Sequence, residues 1–314
     1  MVTVNDKLSF AAPLRAVDHV ELTQTADGTR LRSTKVVRES DPYMAGHFPD
    51  LTMLPAVFLL EGVRQAVAEA FALSEVPELL EVRSVRLQAP MLGGDEITVD
   101  AVVRAEGEHR WFLDARCTRQ DGTPVARLKL LVGVATGEQP LTSTHGPLTA
   151  PEPVTGPPII GHARIRELLP VRHPMLLVDG VVAVEPGRLI SGVKAISGSD
   201  VCYQNLPDGL PGERYSFPRS LIFESFGQTS ALLWLATAET GGPDSVLMLA
   251  AIRGCRFVGD VQPGEVLRHV VRLEQLVADS AFMSGEIWAA DRCVAVIDSL
   301  IAVARPRTAV QAPR

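Results

Sequence analysis

The chain carries the same pattern twice, and this constrains its fold more than any other feature. Val17-Asp18 ahead of a Gly28 turn is answered by Val178-Asp179 ahead of Gly187, and Lys35 by Lys194. Pro55, Glu61 and Gln65 are answered by Pro218, Glu224 and Gln228 with identical gaps. Arg83, Arg86 and Gly94-Asp95 are answered by Arg253, Arg256 and Gly264-Glu265. The offset between the copies grows from 159 to 163 to 170, as expected when loops differ in length and elements do not. A period near half of 314 residues describes a duplicated domain, not a solenoid. Between the copies stand Pro140, Pro147, Pro151, Pro153, Pro157 and Pro158. Proline fixes φ and removes a donor, so this stretch is expected to be an extended, semi-rigid linker. The expected division is an N-terminal domain over 1–137, a linker over 138–159, a C-terminal domain over 160–306 and a tail over 307–314.

Each copy has one strong helix signal. Pro55 suits a first turn, and Ala56–Phe71 contains no other breaker than Gly62. Val57, Phe58, Leu59 and Leu60 are consecutive and apolar, which predicts a helix start buried all round. In the second copy Pro218 opens Ser220–Ala238, with Leu221, Ile222 and Phe223 in the same places. Alternating segments such as Ile97–Val103 and Val125–Val132 follow, with turns at Gly93-Gly94, Asp121-Gly122 and Pro263-Gly264. The pattern predicts an α+β fold, one buried helix wrapped by an antiparallel sheet in each copy.

Net charge is −7, which argues against a broad nucleic-acid footprint. Cys117, Cys202, Cys255 and Cys293 are too far apart for a zinc pair or redox motif and too few for a disulfide scaffold; they read as small buried residues. The N-terminus lacks a basic segment followed by an apolar core, and runs such as Ala231–Ala236 are far short of a membrane span. A cytoplasmic protein is expected.

The chemistry concentrates in Gly46-His47-Phe48-Pro49, Pro55 and Glu61. A carboxylate on a buried helix prefers its neutral form, which suits a general acid at neutral pH. Gln65, four residues on, lies on the same helix face and can orient it. His47, in a loop before the helix, can serve as base, and amides at a helix start can polarise a carbonyl.

These residues resemble the active-site stretch of the FabZ-like 3-hydroxyacyl-[acyl-carrier-protein] dehydratases. The second copy is similar to that family over Leu168-Leu169-Pro170, Arg172, Pro174 and Leu176-Leu177-Val178-Asp179, then Glu185-Pro186-Gly187, Lys194, and Phe217-Pro218 with Glu224 and Gln228. The resemblance covers residues 15–135 and 160–305, and it implies two tandem hot-dog domains packed through their sheets as a pseudo-dimer. It further implies that each active site takes its histidine from one unit and its acid from the other.

The copies are unequal. No histidine lies between His173 and His269, and an ungapped count from Glu224 places Leu210 where His47 has its counterpart. The resemblance then implies one complete site, His47 with Glu224, and one degenerate site with Glu61, Gln65 and Leu210. Gln228, Pro55, Ala56, Pro218 and Asp50 are expected to support the complete site. Ala56 and Asp50 stand where the family has glycine, as does Arg219 in the second copy. Asp50 is expected either to raise the His47 pKa or to narrow the tunnel. The implied enzyme is a hydro-lyase: His47 takes the α-proton of a 3-hydroxyacyl thioester and Glu224 protonates the leaving hydroxyl, giving a trans-2-enoyl thioester. No cofactor or metal is expected, the substrate being carried on the phosphopantetheine of an acyl carrier protein. Fatty-acid, polyene and polyketide synthesis all remain open, with a specialised pathway favoured; a homodimer is also open, and no nucleic acid or membrane partner is expected. The alternatives are an enoyl-thioester hydratase or isomerase, and a non-catalytic acyl-carrier-binding partner. Arg214 and Arg219 are read either as contacts to phosphate or carrier or as a solvated face, and His19, His109, His145, His162 and His269 as structural.

Overall fold

The computed structural model describes residues 9–26, 28–48, 50–135, 141–238 and 245–310. Pro49, Pro140 and the tail beyond 310 lie outside the described residues, as does the opening segment 1–8. The first copy folds as β1 (His19–Thr25), β2 (Gly28–Val36), α1 (Met44–His47), α2 (Val57–Ala70), β3 (Glu78–Leu87), β4 (Glu96–Ala105), β5 (Arg110–Arg119) and β6 (Pro124–Gly133). The second follows with α3 (His162–Leu168), β7 (Gly180–Glu185), β8 (Leu189–Ala195), α4 (Arg219–Thr237), β9 (Ser245–Phe257), β10 (Val266–Val277), β11 (Ser280–Ala289) and β12 (Arg292–Pro306). A short helix, α5 (Arg307–Val310), begins where the tail was expected.

The twelve strands of the described residues join one sheet in the order β1-β2-β4-β5-β6-β3-β9-β12-β11-β10-β8-β7. The second half of this order repeats the first in reverse, which is the signature of a pseudo-twofold axis between β3 and β9. The sequence offsets are physical registers: Lys35 faces Ile97 and Lys194 faces Leu267, an offset of 159 on one strand and 170 on the other. At the seam β3 and β9 pair antiparallel, with Val82 opposite Cys255 and Val85 opposite Ile252. The offset of 170 converts the first pair into the second, so the seam is self-complementary. Val82 and Cys255 are fully buried and Val85 and Ile252 nearly so. The turn glycines Gly94 and Gly264 have φ of 85° and 98°, a region that a side chain would disfavour.

The two long helices lie inside the curled sheet and touch each other. The apolar start of α2 is buried as the sequence predicts, and burial extends through Glu61, Arg64 and Gln65 to Val67. One continuous core runs through both halves. The described part of the linker is bound to the second half of the sheet: the Arg256 guanidinium donates to Thr142 O (2.9 Å), Ser143 Oγ donates to Glu286 (3.0 Å), and His145 Nε2 lies 2.7 Å from Ser284 Oγ. It ends against the edge strand β7, where Ile159 N–H donates to Val181 O (2.8 Å), covering backbone groups that an open edge would expose.

Truncating the seam tests whether it holds the halves together. Val82→Ala removes methyl groups from a site with no exposed surface, and we expect a loss of about 2 kcal/mol in chemical denaturation with one cooperative transition retained. Separate transitions for the two halves would show that the seam does not couple them.

Candidate active site

His47 ends α1, and Gly46 lets that turn approach the second half of the chain. Gly46 O accepts from Arg172 N (2.7 Å), and a Cβ on Gly46 would lie 2.3 Å from Arg172 O. Any side chain there would push α1 off the 172–175 segment. His47 Nδ1 lies 2.9 Å from Met53 O. A carbonyl can only accept, so Nδ1 carries the proton and Nε2 of the neutral ring is left as the basic nitrogen. Burial pushes the imidazole down to about 4, against a smaller upward pull from the Met53 bond, so the ring is neutral at pH 7. This corrects one expectation for Asp50. It does not raise the pKa of His47; it is exposed and its carboxylate meets the Arg307 guanidinium at 3.4 Å.

Glu224 is half-buried on α4, and desolvation raises its carboxyl above the ordinary range, with Gln228 pulling in the opposite direction. The Gln228 amide is fixed at both ends. Its oxygen accepts from Leu177 N (2.8 Å), and its nitrogen donates to Met175 O (2.7 Å) and to Glu224 Oε1 (3.0 Å). Glu224 Oε2 takes no hydrogen bond among the described residues.

His47, from the first half, and Glu224, from the second, line one cavity of about 760 Å³. Ala56 and Val57 at the start of α2 line it too, as do Gly227 and Gln228 of α4. The amides of Phe58 and Leu59 are taken by the carbonyls of Pro55 and Ala56, whereas among the described residues no such partner holds those of Ala56 and Val57. Leu168, Leu235, Leu247 and Leu300 supply apolar wall, and Arg172, Arg305 and Arg307 bring positive charge. A neutral imidazole and a carboxyl of raised pKa on one largely apolar cavity can take a proton from one atom and give a proton to another. Among the described residues, no group of three or more His, Cys, Asp or Glu is placed to hold a metal ion.

The pseudo-equivalent place around Glu61 is filled. Gln65 is held as Gln228 is, through Ala16 N (2.8 Å), Leu14 O (2.9 Å) and Glu61 Oε1 (2.9 Å). Glu61, 1% exposed, also meets Arg64 (3.0 Å) and accepts from Ser220 Oγ (3.1 Å). Arg64 continues to Glu78 (2.8 Å), Pro77 O (2.8 Å) and Ala11 O (3.3 Å), with Phe10 stacked against its guanidinium. Arg219 donates to Leu79 O (3.0 Å) and Gly259 O (2.9 Å) and lies 3.7 Å from Glu78. The offset of 163 between the helices puts Gly227 where Arg64 stands and Ala56 where Arg219 stands. Two arginines thus occupy, around Glu61, the places that two small residues leave open around Glu224.

This corrects two further expectations. Arg219 is 3% exposed, so it meets neither a bound phosphate nor a carrier surface, and Arg214 is engaged by Ser9 and Ser74 O. Leu210 lies in the coil ahead of the Gly212–Tyr215 turn and is not the counterpart of His47. Ala11 N donates to Arg214 O (2.8 Å) as Arg172 N donates to Gly46 O (2.7 Å), so Arg214 takes the place of Gly46 and Tyr215 that of His47. The loop from that point to the helix is shorter in the second copy, which an ungapped count misses. Sequence reasoning also missed Arg64, Glu78 and Ser220. Aligning the two helices residue by residue shows the signal for one of them: arginine where its copy has glycine.

Residues 23–127 match the family model of ApeI-like proteins, described as the ApeI dehydratase. A 3-hydroxyacyl-[acyl-carrier-protein] dehydratase FabZ from Chloroflexus aggregans is 34% identical over 142 residues, which are 45% of this chain and 94% of that protein. The FabZ of Staphylococcus haemolyticus is 33% identical over 119 residues, 38% of this chain and 77% of the relative. Among solved structures, an isomerase-inactive variant of GphF DH1 superposes with a TM-score of 0.64 at 15% identity, covering 96% of this chain and all of that one. The bifunctional dehydratase-cyclase domain of ambruticin biosynthesis gives 0.59 at 19% identity, over 94% and 98% of the two chains. The dehydratase domain of PpsC from Mycobacterium tuberculosis gives 0.58 at 14%, over 93% and 99%. The fold is the double hot-dog, two tandem units in one chain.

The filled site carries its own test. Arg64→Met strips Glu61 and Glu78 of their shared guanidinium and leaves uncompensated buried charge. We expect a loss of roughly 3–5 kcal/mol in denaturation, partly restored by adding Glu61→Gln. A loss under about 1 kcal/mol would show that the network is hydrated and not structural.

Proposed function

Because this chain belongs to the 3-hydroxyacyl-[acyl-carrier-protein] dehydratase (FabZ) family, we infer that it removes water from 3-hydroxyacyl thioesters through one composite site per chain. The chain is a hydro-lyase, and the product is the trans-2-enoyl thioester. One observation carries the assignment of the site: His47 and Glu224 come from different halves onto one cavity, while the other acid, Glu61, is tied up by Arg64.

The chemistry follows from the protonation states. His47 Nε2, free because Nδ1 is bonded to Met53 O, takes the proton α to the thioester carbonyl. The electron pair moves toward the carbonyl, whose oxygen is held by the Ala56 and Val57 amides at the start of α2. Glu224 gives its proton to the departing hydroxyl as the C–O bond breaks, and Gln228 keeps the carboxyl aimed. Each proton moves between a side chain and the substrate, so the step needs no redox partner. The apolar walls suit an acyl chain, and Arg172 suits the phosphate of a phosphopantetheine arm presented by an acyl carrier protein.

Mass spectrometry of a 3-hydroxyacyl carrier protein, or its pantetheine mimic, tests the reading. We expect loss of one water with the wild type, none with His47→Ala, and a fall of about 10²–10⁴ in kcat with Glu224→Gln. Glu61→Gln should keep kcat within about threefold; an equal fall with Glu61→Gln and none with Glu224→Gln would overturn the cross-half site. Activity rises with pH through about 4 as His47 becomes neutral, and falls at higher pH as Glu224 ionises. Loss of activity below pH 6.5 with the ordinary midpoint of a histidine would remove the buried-base assignment.

A further inference from the structure

The acid Glu224 is followed by a polar residue with a buried partner that the reaction itself does not use. Ser225 Oγ donates to Leu177 O (2.6 Å) and lies 2.7 Å from His269 Nε2. A serine hydroxyl has one proton, spent on Leu177 O, so His269 Nε2–H is the donor to Ser225. His269 Nδ1 is then unprotonated, and it is buried with no partner among the described residues. His269 has no exposed surface, and burial pushes its imidazole down to about 3, so the ring is neutral.

The Ser225 hydroxyl departs from the pattern of the hydroxyls that follow it on the helix. Thr229, Ser230 and Thr237 of α4 each bond the carbonyl four residues back, at 3.0, 2.9 and 2.7 Å. That is the default for a hydroxyl on a helix. Ser225 instead reaches off the helix to Leu177, and His269 is the group that holds it there. Leu177 is the residue whose N–H fixes the Gln228 amide, and Gln228 in turn bonds Glu224.

The first half supplies an internal comparison. The offset of 163 puts Gly62 at the place of Ser225, and the offset of 170 puts Val99 at that of His269. Val99 faces Ser33 across the ladder as His269 faces Gly192, which fixes the equivalence. A Cβ on Gly62 would lie 3.2 Å from Ala16 O, the counterpart of Leu177 O, so the geometry is the same and only the polar pair is missing. The half whose acid is neutralised by arginine lacks the pair; the half whose acid faces the cavity has it.

We propose that His269 and Ser225 are positioning residues for dehydration, clamping the Met175–Leu177 segment so that Gln228 holds the Glu224 carboxyl toward the cavity. This rests on Glu224 being the acid. The clamp is a chain of hydrogen bonds, so removing either member should release the same segment.

The test compares Ser225→Ala, His269→Leu, His269→Gln and, as a core control in the other half, Val99→Ala. Turnover of a 3-hydroxyacyl pantetheine thioester is read alongside hydrogen exchange of residues 175–179. We expect Ser225→Ala and His269→Leu each to lower kcat about tenfold with KM within about twofold, and the double variant to fall no further. His269→Gln retains a donor near the Nε2 position and recovers most of kcat, since Nδ1 makes no bond to lose. His269→Leu removes an unpartnered buried nitrogen, so its Tm should hold or rise while kcat falls; a purely structural histidine would lower both. Val99→Ala should lower Tm and leave kcat and the exchange of 175–179 unchanged. Exchange should quicken in Ser225→Ala and His269→Leu only. Unchanged kcat and exchange in both, beside an active wild type and an inactive Glu224→Gln, would overturn the clamp. A wild type inert toward the thioester would instead count against the functional reading, and exchange would still decide the clamp.

Discussion

The antiparallel pairing of β3 with β9 is the contact on which the rest of the molecule depends. Because the strands are pseudo-equivalent and pair about a twofold axis, each residue pair at the seam has a mate: Val82 with Cys255, and Val85 with Ile252. The seam merges two six-stranded sheets into one of twelve and lays α2 and α4 against each other inside it. Only this arrangement brings the turn ending at His47 onto the 172–175 segment and the start of α2 beside the carboxyl of α4. Neither half encloses the cavity alone, since its wall draws on β3, α4, β9 and β12 together.

Fusing two units in one chain removes a constraint that an exact homodimer must obey, that both sites be identical. Here the two places have diverged through charge and volume. Around Glu61, Arg64 and Arg219 fill the space and are themselves satisfied by Glu78 and by carbonyls of Pro77, Leu79 and Gly259. Burying a guanidinium is costly unless its partners are complete, and here they are. Glu61 is retained as a counter-charge to Arg64. Around Glu224, Gly227 and Ala56 leave the same volume open, and the polar pair Ser225–His269 stands where the other half has Gly62 and Val99. One acid is therefore paired and enclosed, the other unpaired and facing a cavity.

Much of this was legible in the sequence. The duplicated spacing, the buried start of α2 and the turn glycines could be read from residue order, because helix and strand periodicity act over a few neighbours; Glu224 and Gln228 were singled out as partners of His47 only by the family resemblance. The fate of Glu61 was not. Its neutralisation depends on Arg64 turning toward Glu78 and on Ser220 reaching across from the other half, at a separation of 159 residues. Leu210 was misplaced because loops absorb length changes that no ungapped count can register. His269 reads only as structural in the sequence, because Ser225 is 44 residues away and meets it only when α4 lies on β10.

By itself the sequence determined the duplication, the class of each unit and which half keeps a histidine ahead of its helix. These follow from local spacing and from the chemistry of proline, glycine and alternating apolar residues. Tertiary structure alone decided that Glu61 is bound by arginine, how the carboxyl of Glu224 is held beside the cavity, and which serine is drawn off its helix. Those outcomes depend on strand register at the seam and on the desolvation of charges brought together there, and neither is a property of any stretch of chain taken alone.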